Sequence, residues 1–167
     1  MQHATLCLLV GGNPPSRVLL GRKKAGFGAG KYGGFGGKVE AHETVTTAAA
    51  RELEEETGIR VSEKDLQPMG RLTFLFPAQP TWSQVVHVFL VSNWDGDPVE
   101  SAEMNPAWFA MDDIPFEHMW QDCAHWLPRT LAGERIRATF TFKANNETIG
   151  ELEIEAWYAD DQDRGEP

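Results

Sequence analysis

Glu52, Glu55 and Glu56 stand at i, i+3 and i+4 within a stretch, Thr44 to Glu56, whose composition predicts a helix. An α-helix advances about 100° per residue, so Glu55 falls about 60° to one side of Glu52 and Glu56 about 40° to the other. The three carboxylates share one face, Glu54 points away, and Ala49, Ala50 and Leu53 fill the sector that can pack on a sheet. Like charges at this spacing repel, and these lie in the last turns before Gly58, where the helix macrodipole disfavours negative charge. The two effects cost roughly 0.2–1 kcal/mol per exposed charge. A solvated acidic face would leave that cost standing. A divalent cation would remove it, and hard oxygen ligands on a single face suit Mg²⁺ or Mn²⁺. On spacing alone the two readings stand level.

The surrounding elements must position such a face. Thr5–Val10 is a short apolar run predicting a buried strand, Gly11–Pro15 a turn, and Val18–Leu20 a second strand. Residues 26–37 are too rich in glycine for a regular element and predict a loop that passes close to something. Thr44 is a suitable N-cap for the helix and Gly58 a suitable C-terminal stop. Leu72–Phe76 and Val85–Val91 predict strands around a Pro-bounded loop, Pro77 to Pro80, and Asp95–Pro98 a turn. Trp108–Phe109 is a short apolar stretch broken by Ile114–Pro115. Residues near Asp122 to Leu131 predict a second helix that Pro128 interrupts or restarts. Thr139–Phe142, the Asn145–Asn146 turn and Ile149–Trp157 alternate as a closing hairpin. The expectation is an α/β fold, a mixed sheet with helices packed on it, in a single domain over residues 1–159, followed by an acidic tail at 160–167.

Around the glutamates the sequence runs G-x5-E-x7-R-E-L-x-E-E-x-G-I from Gly37 to Ile59. This resembles the Nudix box at every defined position, including the aliphatic slots at Leu53 and Ile59. The resemblance implies a loop–helix–loop on an α/β/α sandwich, with Glu52, Glu55 and Glu56 as metal ligands and Gly36 giving a backbone carbonyl to the same ion. It also implies that Glu43 and Arg51 brace the loop against the helix. Water would attack phosphorus with the help of metal ions, Mg²⁺ or Mn²⁺.

The likeness continues through Val18–Gly21, Lys23–Lys24, Gly26–Gly30, Gly34–Val39, Thr73–Phe76, Val86–Phe89, Pro98–Ser101, Ile114–Phe116 and Trp126. These segments resemble the oxidised-purine nucleoside triphosphatase branch of the Nudix hydrolases, whose members convert 8-oxo-dGTP and related damaged purine nucleotides to the monophosphate and pyrophosphate. Carried over residue by residue, the resemblance brings Glu103 into the metal set from outside the box. Glu56, Glu103 and Glu55 become the candidate catalytic carboxylates, in that order. Lys23 would contact the triphosphate. Thr5, Phe27, Phe74, Phe76, Met104 and Trp120 would line the base pocket, with Asp122 accepting hydrogen bonds from the base edge. Two positions depart from the branch. An Asn that reads the purine is Gly33 here, and a second Asp beside the first is Cys123. Adjacent carboxylates keep one proton because two close charges resist ionising together. Asp122 lacks that neighbour, and Cys123 is a weak donor and acceptor. The expectation is a preference for guanine-type bases, which carry N–H donors, over 2-oxo-adenine.

The chain of 167 residues carries 25 acidic against 15 basic side chains, a net charge of −10. Such a surface repels polyphosphate backbones, so the expected partner is a small nucleotide and not polymeric nucleic acid. No apolar run suits a membrane span, the first residues lack the marks of a secretory signal, and two cysteines make no disulfide framework. The expectation is a cytoplasmic monomer. The Gly28–Gly33 match to G-x-G-x-x-G leads into further glycines rather than a helix, and no Walker A sequence is present. His118, Cys123 and His125 lack a fourth ligand of zinc spacing. Trp82, Trp94, Trp108 and Trp157 are expected as core or surface aromatics rather than ligand contacts, and Lys24 and Lys31 as solvent-exposed side chains that need no partner. Two other functions compete: Nudix hydrolysis of a dinucleoside polyphosphate or nucleotide sugar, and a non-catalytic sensor. The sensor should have lost ligand carboxylates, and none is missing.

Overall fold

The structure is a computed structural model that describes residues 1–157. The acidic tail expected at 160–167 lies outside the described residues. Among the described residues the strands form one eight-stranded mixed sheet. They are β1 (Gln2–Gly11), β2 (Arg17–Lys23), β3 (Tyr32–Gly33), β4 (Gln67–Leu75), β5 (Gln84–Val91), β6 (Met104–Ala110), β7 (Ile136–Phe142) and β8 (Ile149–Ala156). The order is β3-β2-β1-β5-β4-β7-β8, with β6 on β2. Pairings β1–β5 and β4–β7 are parallel, and the others antiparallel.

Two helices cover the sheet, α1 (Val45–Thr57) and α2 (Cys123–Leu131). Strand alternation sends Cys7 and Leu9 of β1 to one face, where Ala49 and Leu53 of α1 meet them with Leu19, Phe35 and Phe89. Leu8 and Val10 go to the other face, with Leu72, Val86, Phe140 and the Trp126 and Leu127 side chains of α2. The two separate cores make an α/β/α sandwich, the fold class expected from the sequence.

α1 starts where Thr44 accepts a hydrogen bond from the Thr47 amide, and it ends at Gly58 in the left-handed conformation, φ 77°. α2 differs from expectation, since it runs unbroken through Pro128. Burial of Trp126, Leu127 and Thr130 offsets the single backbone bond that proline removes. β6 is also longer than the apolar pair Trp108–Phe109 predicted. Asn105 and Pro106 hide its pattern, yet it pairs with β2 along its whole length.

The position that matters most for function is where β1 and β2 part. They pair only over Leu9–Gly11 and Arg17–Leu19. Beyond that, β2 pairs with β3, while the first half of β1 pairs with the chain around Phe35 and Lys38. The glycine-rich segment, expected to be a loop throughout, therefore serves in its second half as an inserted strand in a widening gap, because its small residues let it pair closely with β1 and β2. Gly36 is obligatory there, because a Cβ would overlap the Thr5 carbonyl oxygen.

Candidate active site

α1 places its three glutamates on one side but in unlike surroundings. Glu56 is buried at 5% exposure, the Glu52 side chain is 15% exposed and that of Glu55 57% exposed. The gradient follows from the helix's packing: its buried stripe is Ala48, Ala49, Leu53, Glu56 and Thr57. Ala48 belongs to this stripe, and Ala50, expected to pack on the sheet, is only partly buried.

Glu56 accepts a 2.7 Å hydrogen bond from the Gly36 amide. Burial pushes its carboxyl up to about 8; the Gly36 N–H opposes this, and the charges of Glu52 and Glu103 add to it. Glu52 is also raised, chiefly by burial and against the pull of Arg51. Its carboxylate lies against Gly37, where a Cβ would come within 2.5 Å of it.

Arg51 organises the rest. Its guanidinium donates to both oxygens of Glu43, at 2.7 and 2.8 Å, and to the Lys38 carbonyl at 3.1 Å. It also reaches Glu52 at 3.0 Å and Glu55 at 3.2 Å. The paired hydrogen bonds from Arg51 hold the Glu43 carboxyl down to about 2. Arg51 thus offsets part of the repulsion that the spacing alone leaves uncompensated. Among the described residues no three His, Cys, Asp or Glu side chains form a finished metal cage. Glu52 and Glu55 are turned to Arg51, and Glu56 to Gly36.

Two adjoining cavities meet at the gap between β1 and β2. One, about 620 Å³, is lined by Gly36, Glu56, Glu103 and Met104, with Lys31 and Gly26 on its far side. Glu103 precedes β6, where Ser101 Oγ accepts from its amide, and β6 pairs Met104 with Lys23. The other, about 280 Å³, lies on the α2 face between Phe74, Phe76, Phe27 and Trp120, with Asp122 and Cys123 in its wall. Lys23, Tyr32, Gly33, Gly34, Leu6 and Trp120 border both. A third recess of about 470 Å³, on β4, β7 and β8, contains none of these carboxylates.

Asp122 is 4% exposed, and one of its oxygens accepts from Trp126 Nε1 at 2.8 Å. Burial raises its proton affinity against that hydrogen bond. This modifies the expectation that Asp122 lacks a reason to hold a proton, because desolvation supplies one without a second carboxylate. Burial also raises the Cys123 thiol and pushes Cys7 up to about 12, so neither is an ionised nucleophile.

The family pattern described as NUDIX domain matches residues 2–130. The chain belongs to the Nudix hydrolase family. Similar to this Nudix chain are the oxidized purine nucleoside triphosphate hydrolases of Danio rerio and Mus musculus. The first is 46% identical over 85% of this chain and 87% of the zebrafish protein. The second is 44% identical over 77% of this chain and 81% of the mouse protein. Among solved structures, a MutT protein from Bacillus halodurans has a TM-score of 0.77 at 21% identity, covering 93% of this chain and 98% of its own. That likeness concerns the fold. A MutT Nudix hydrolase from Burkholderia pseudomallei has a TM-score of 0.58 at 30% identity, covering 69% and 88%. Nudix hydrolases in general need a divalent metal ion. No helix among the described residues is long and apolar enough to cross a membrane.

Against the residues expected from sequence, the Nudix fold brings Gly36, Glu56 and Glu103 to one cavity. Phe27, Gly33, Phe74, Phe76, Trp120 and Asp122 come to the other, and Lys23 stands between the two. Thr5 lies elsewhere. Alternation along β1 turns Leu6 toward the aromatic cavity, and the Thr5 hydroxyl sits 3.4 Å from the Gly37 carbonyl instead. Met104 lines the carboxylate cavity and not the aromatic one. Glu52 and Glu55 border neither cavity. Lys24 and Lys31, expected to be free, both have partners: Lys24 pairs with Glu100 at 2.8 Å, and the Lys31 ammonium lies 4.9 Å from the Trp120 ring centre. Tyr32 and Leu6 were not singled out from sequence. Tyr32 had a signal available, as an aromatic inside a glycine run, whereas Leu6 looks like any strand leucine.

Proposed function

We propose that this chain hydrolyses an oxidised purine nucleoside triphosphate such as 8-oxo-dGTP to the monophosphate and pyrophosphate, cleaning the nucleotide pool. The observation that carries this reading is the pair of connected cavities. An aromatic slot with one buried carboxyl opens, past Lys23 and Gly33, onto a chamber walled by Glu56 and Glu103. A planar base needs stacking surface and few polar contacts, and a triphosphate needs cations. The names of the zebrafish and mouse relatives support the same substrate class.

Glu56 and Glu103, which line the carboxylate cavity, with Glu52 and Glu55 on the same helix side as Glu56, are the residues that would hold Mg²⁺ or Mn²⁺. Their oxygens are the hard donors such ions take, and the proton affinities of Glu52 and Glu56 are raised in part by neighbouring acidic charge. The bound ion supplies charge neutralisation at the phosphate oxygens and a lowered pKa for water. Lys23 binds the phosphate chain where the cavities join. Asp122 takes N–H donors of the base edge with the oxygen that Trp126 leaves free. Glu56, with Glu103 beside it, accepts the proton of the water that adds at phosphorus as the bridging oxygen departs with the pyrophosphate. The two free thiols are buried, which suits a reducing, cytoplasmic setting.

A panel of oxidised and normal nucleotides, dinucleoside polyphosphates and nucleotide sugars, incubated with Mg²⁺, tests the reading. Pyrophosphate and 8-oxo-dGMP from 8-oxo-dGTP are the expected products. Orthophosphate release, or faster turnover of a dinucleotide or sugar nucleotide, overturns it.

A further inference from the structure

Trp82, one of four tryptophans expected as core or surface aromatics, stands at the surface beside the aromatic cavity. It is 41% exposed, and its neighbour Phe27 is 52% exposed, a large amount of ring surface left in water. The two rings come from separate loops and meet with centroids 4.5 Å apart. Phe27 also meets Trp120 at 5.0 Å. On its other side Trp82 packs edge-on to Phe76 at 5.9 Å, and Phe76 stacks on Phe142 at 4.7 Å. Phe76, Phe27 and Trp120 all line the 280 Å³ cavity. Trp82 does not line it, yet it joins the aromatic floor to the aromatic rim.

Both loops are closed by their own backbone hydrogen bonds. Phe27 stands between Gly26 and Gly28, both at positive φ, in a loop held by Gly30 N to the Lys23 carbonyl at 2.8 Å and Ala29 N to the Gly26 carbonyl at 3.1 Å. Its carbonyl accepts from Lys23 Nζ at 2.6 Å. The loop carrying Trp82 is closed on itself: Gln79 N donates to the Phe76 carbonyl, Trp82 N to the Gln79 carbonyl, and Phe76 N to Ser83 Oγ, at 2.9, 2.9 and 3.0 Å. Pro80 fixes its first turn. Two closed loops thus hold the Trp82 and Phe27 rings against each other.

We infer that Trp82 is a positioning residue for base recognition: it holds Phe27 across the mouth of the aromatic slot, so that a two-ring base is clasped between Phe27 and the floor. This rests on the reading that the slot takes a purine. A bicyclic base spans from floor to rim and gains the contact, whereas a pyrimidine, with one ring, reaches less of it. Binding also draws Phe27 and Trp82 out of water, which a purely structural pair would not undergo.

The test is calorimetric titration of 8-oxo-dGMP and dCMP into parent, Trp82→Ala and Trp82→Phe proteins in metal-free buffer, with tryptophan emission followed in parallel. Trp82→Ala is expected to weaken 8-oxo-dGMP binding roughly fivefold to tenfold, the worth of an aromatic pair. Its affinity for dCMP should move less than about twofold on the same basis. Trp82→Phe restores purine affinity and shows a smaller emission change than the parent, the remainder coming from Trp120 in the cavity wall. In steady state the same loss falls on KM for 8-oxo-dGTP and not on kcat. Equal purine affinity in parent and Trp82→Ala overturns the clasp, as does an equal loss for both bases. A parent that binds no purine nucleotide overturns the reading of the slot, and the clasp with it.

Discussion

Glu56 and Asp122 are both acids withdrawn from water, and burial raises the proton affinity of each, but they face different cavities. Glu56 lies among other carboxylates, so its proton competes with a cation. Glu56→Gln keeps the shape and one hydrogen-bond acceptor while removing the base. The expected outcome is a fall in kcat of about 10²–10⁴ with KM for 8-oxo-dGTP little changed, read in a steady-state pyrophosphate assay. Asp122 lines the aromatic cavity, and on the proposed reading its protonation state selects the base. Ionised, it only accepts; protonated, it donates once and accepts once. Because its folded pKa is raised, the protonated form persists to higher pH than in a free carboxyl and gives way to the ionised form as pH rises. The ratio of kcat/KM for 8-oxo-dGTP over 2-oxo-dATP should therefore exceed one and climb with rising pH across the range in which the enzyme stays folded. Pyrophosphate release from both substrates across that range measures it, and taking a ratio cancels changes at the metal. A flat ratio would show that Asp122 does not choose the base.

At the scale of elements, the inserted glycine strand and α1 form one device. Gly36 touches β1 through Thr5 and α1 through Glu56, so a single added methyl disturbs both. Gly36→Ala must displace backbone, and the expected result is a loss of activity of at least a hundredfold together with lowered stability, seen by kinetics and urea melts. Thr44→Ala isolates the helix from the site. It removes the N-cap bond to Thr47 at 3.2 Å and should cost about 1 kcal/mol in unfolding free energy. Because Arg51 and the Gly36 bond still orient the glutamates, kcat should stay within about threefold, a margin below the rate cost of losing 1 kcal/mol at the site itself. The cap and the C-terminal Gly58 were legible in the sequence because they are local: their chemistry is settled within four residues of chain.

For the molecule as a whole, the acidic site is a load on the fold that a cation relieves. Glu56 has its pKa raised from an ordinary carboxylate value to about 8, so the folded state holds a proton that the unfolded state releases. Its contribution to stability is complete below the unfolded pKa and is lost as pH rises through the folded one. Metal-free Glu56→Gln should therefore melt several degrees above the metal-free parent at pH 8, and the gap should close toward pH 5. Mg²⁺ should raise the parent's Tm at pH 8 and leave that of Glu56→Gln nearly unmoved. Differential scanning fluorimetry in EDTA and in Mg²⁺ checks both statements.

The order of the helices and of the strands other than β3 and β6, the helix carrying Glu52, Glu55 and Glu56, and the likeness of Gly37–Ile59 to the Nudix box were legible in the chain, because periodicity, caps and motif spacing are short-range properties. Which of those glutamates is buried was not, since exposure depends on the angle at which α1 meets the sheet. Nor was the parting of β1 and β2, which depends on a glycine strand pairing with partners far along the chain. Thr5 and Met104 illustrate the limit: each lies one side-chain alternation or one cavity away from its expected place. Trp82 shows the converse, a residue with no signal in sequence whose contacts exist only once two loops, separated by fifty residues of chain, are folded onto the same edge of the slot.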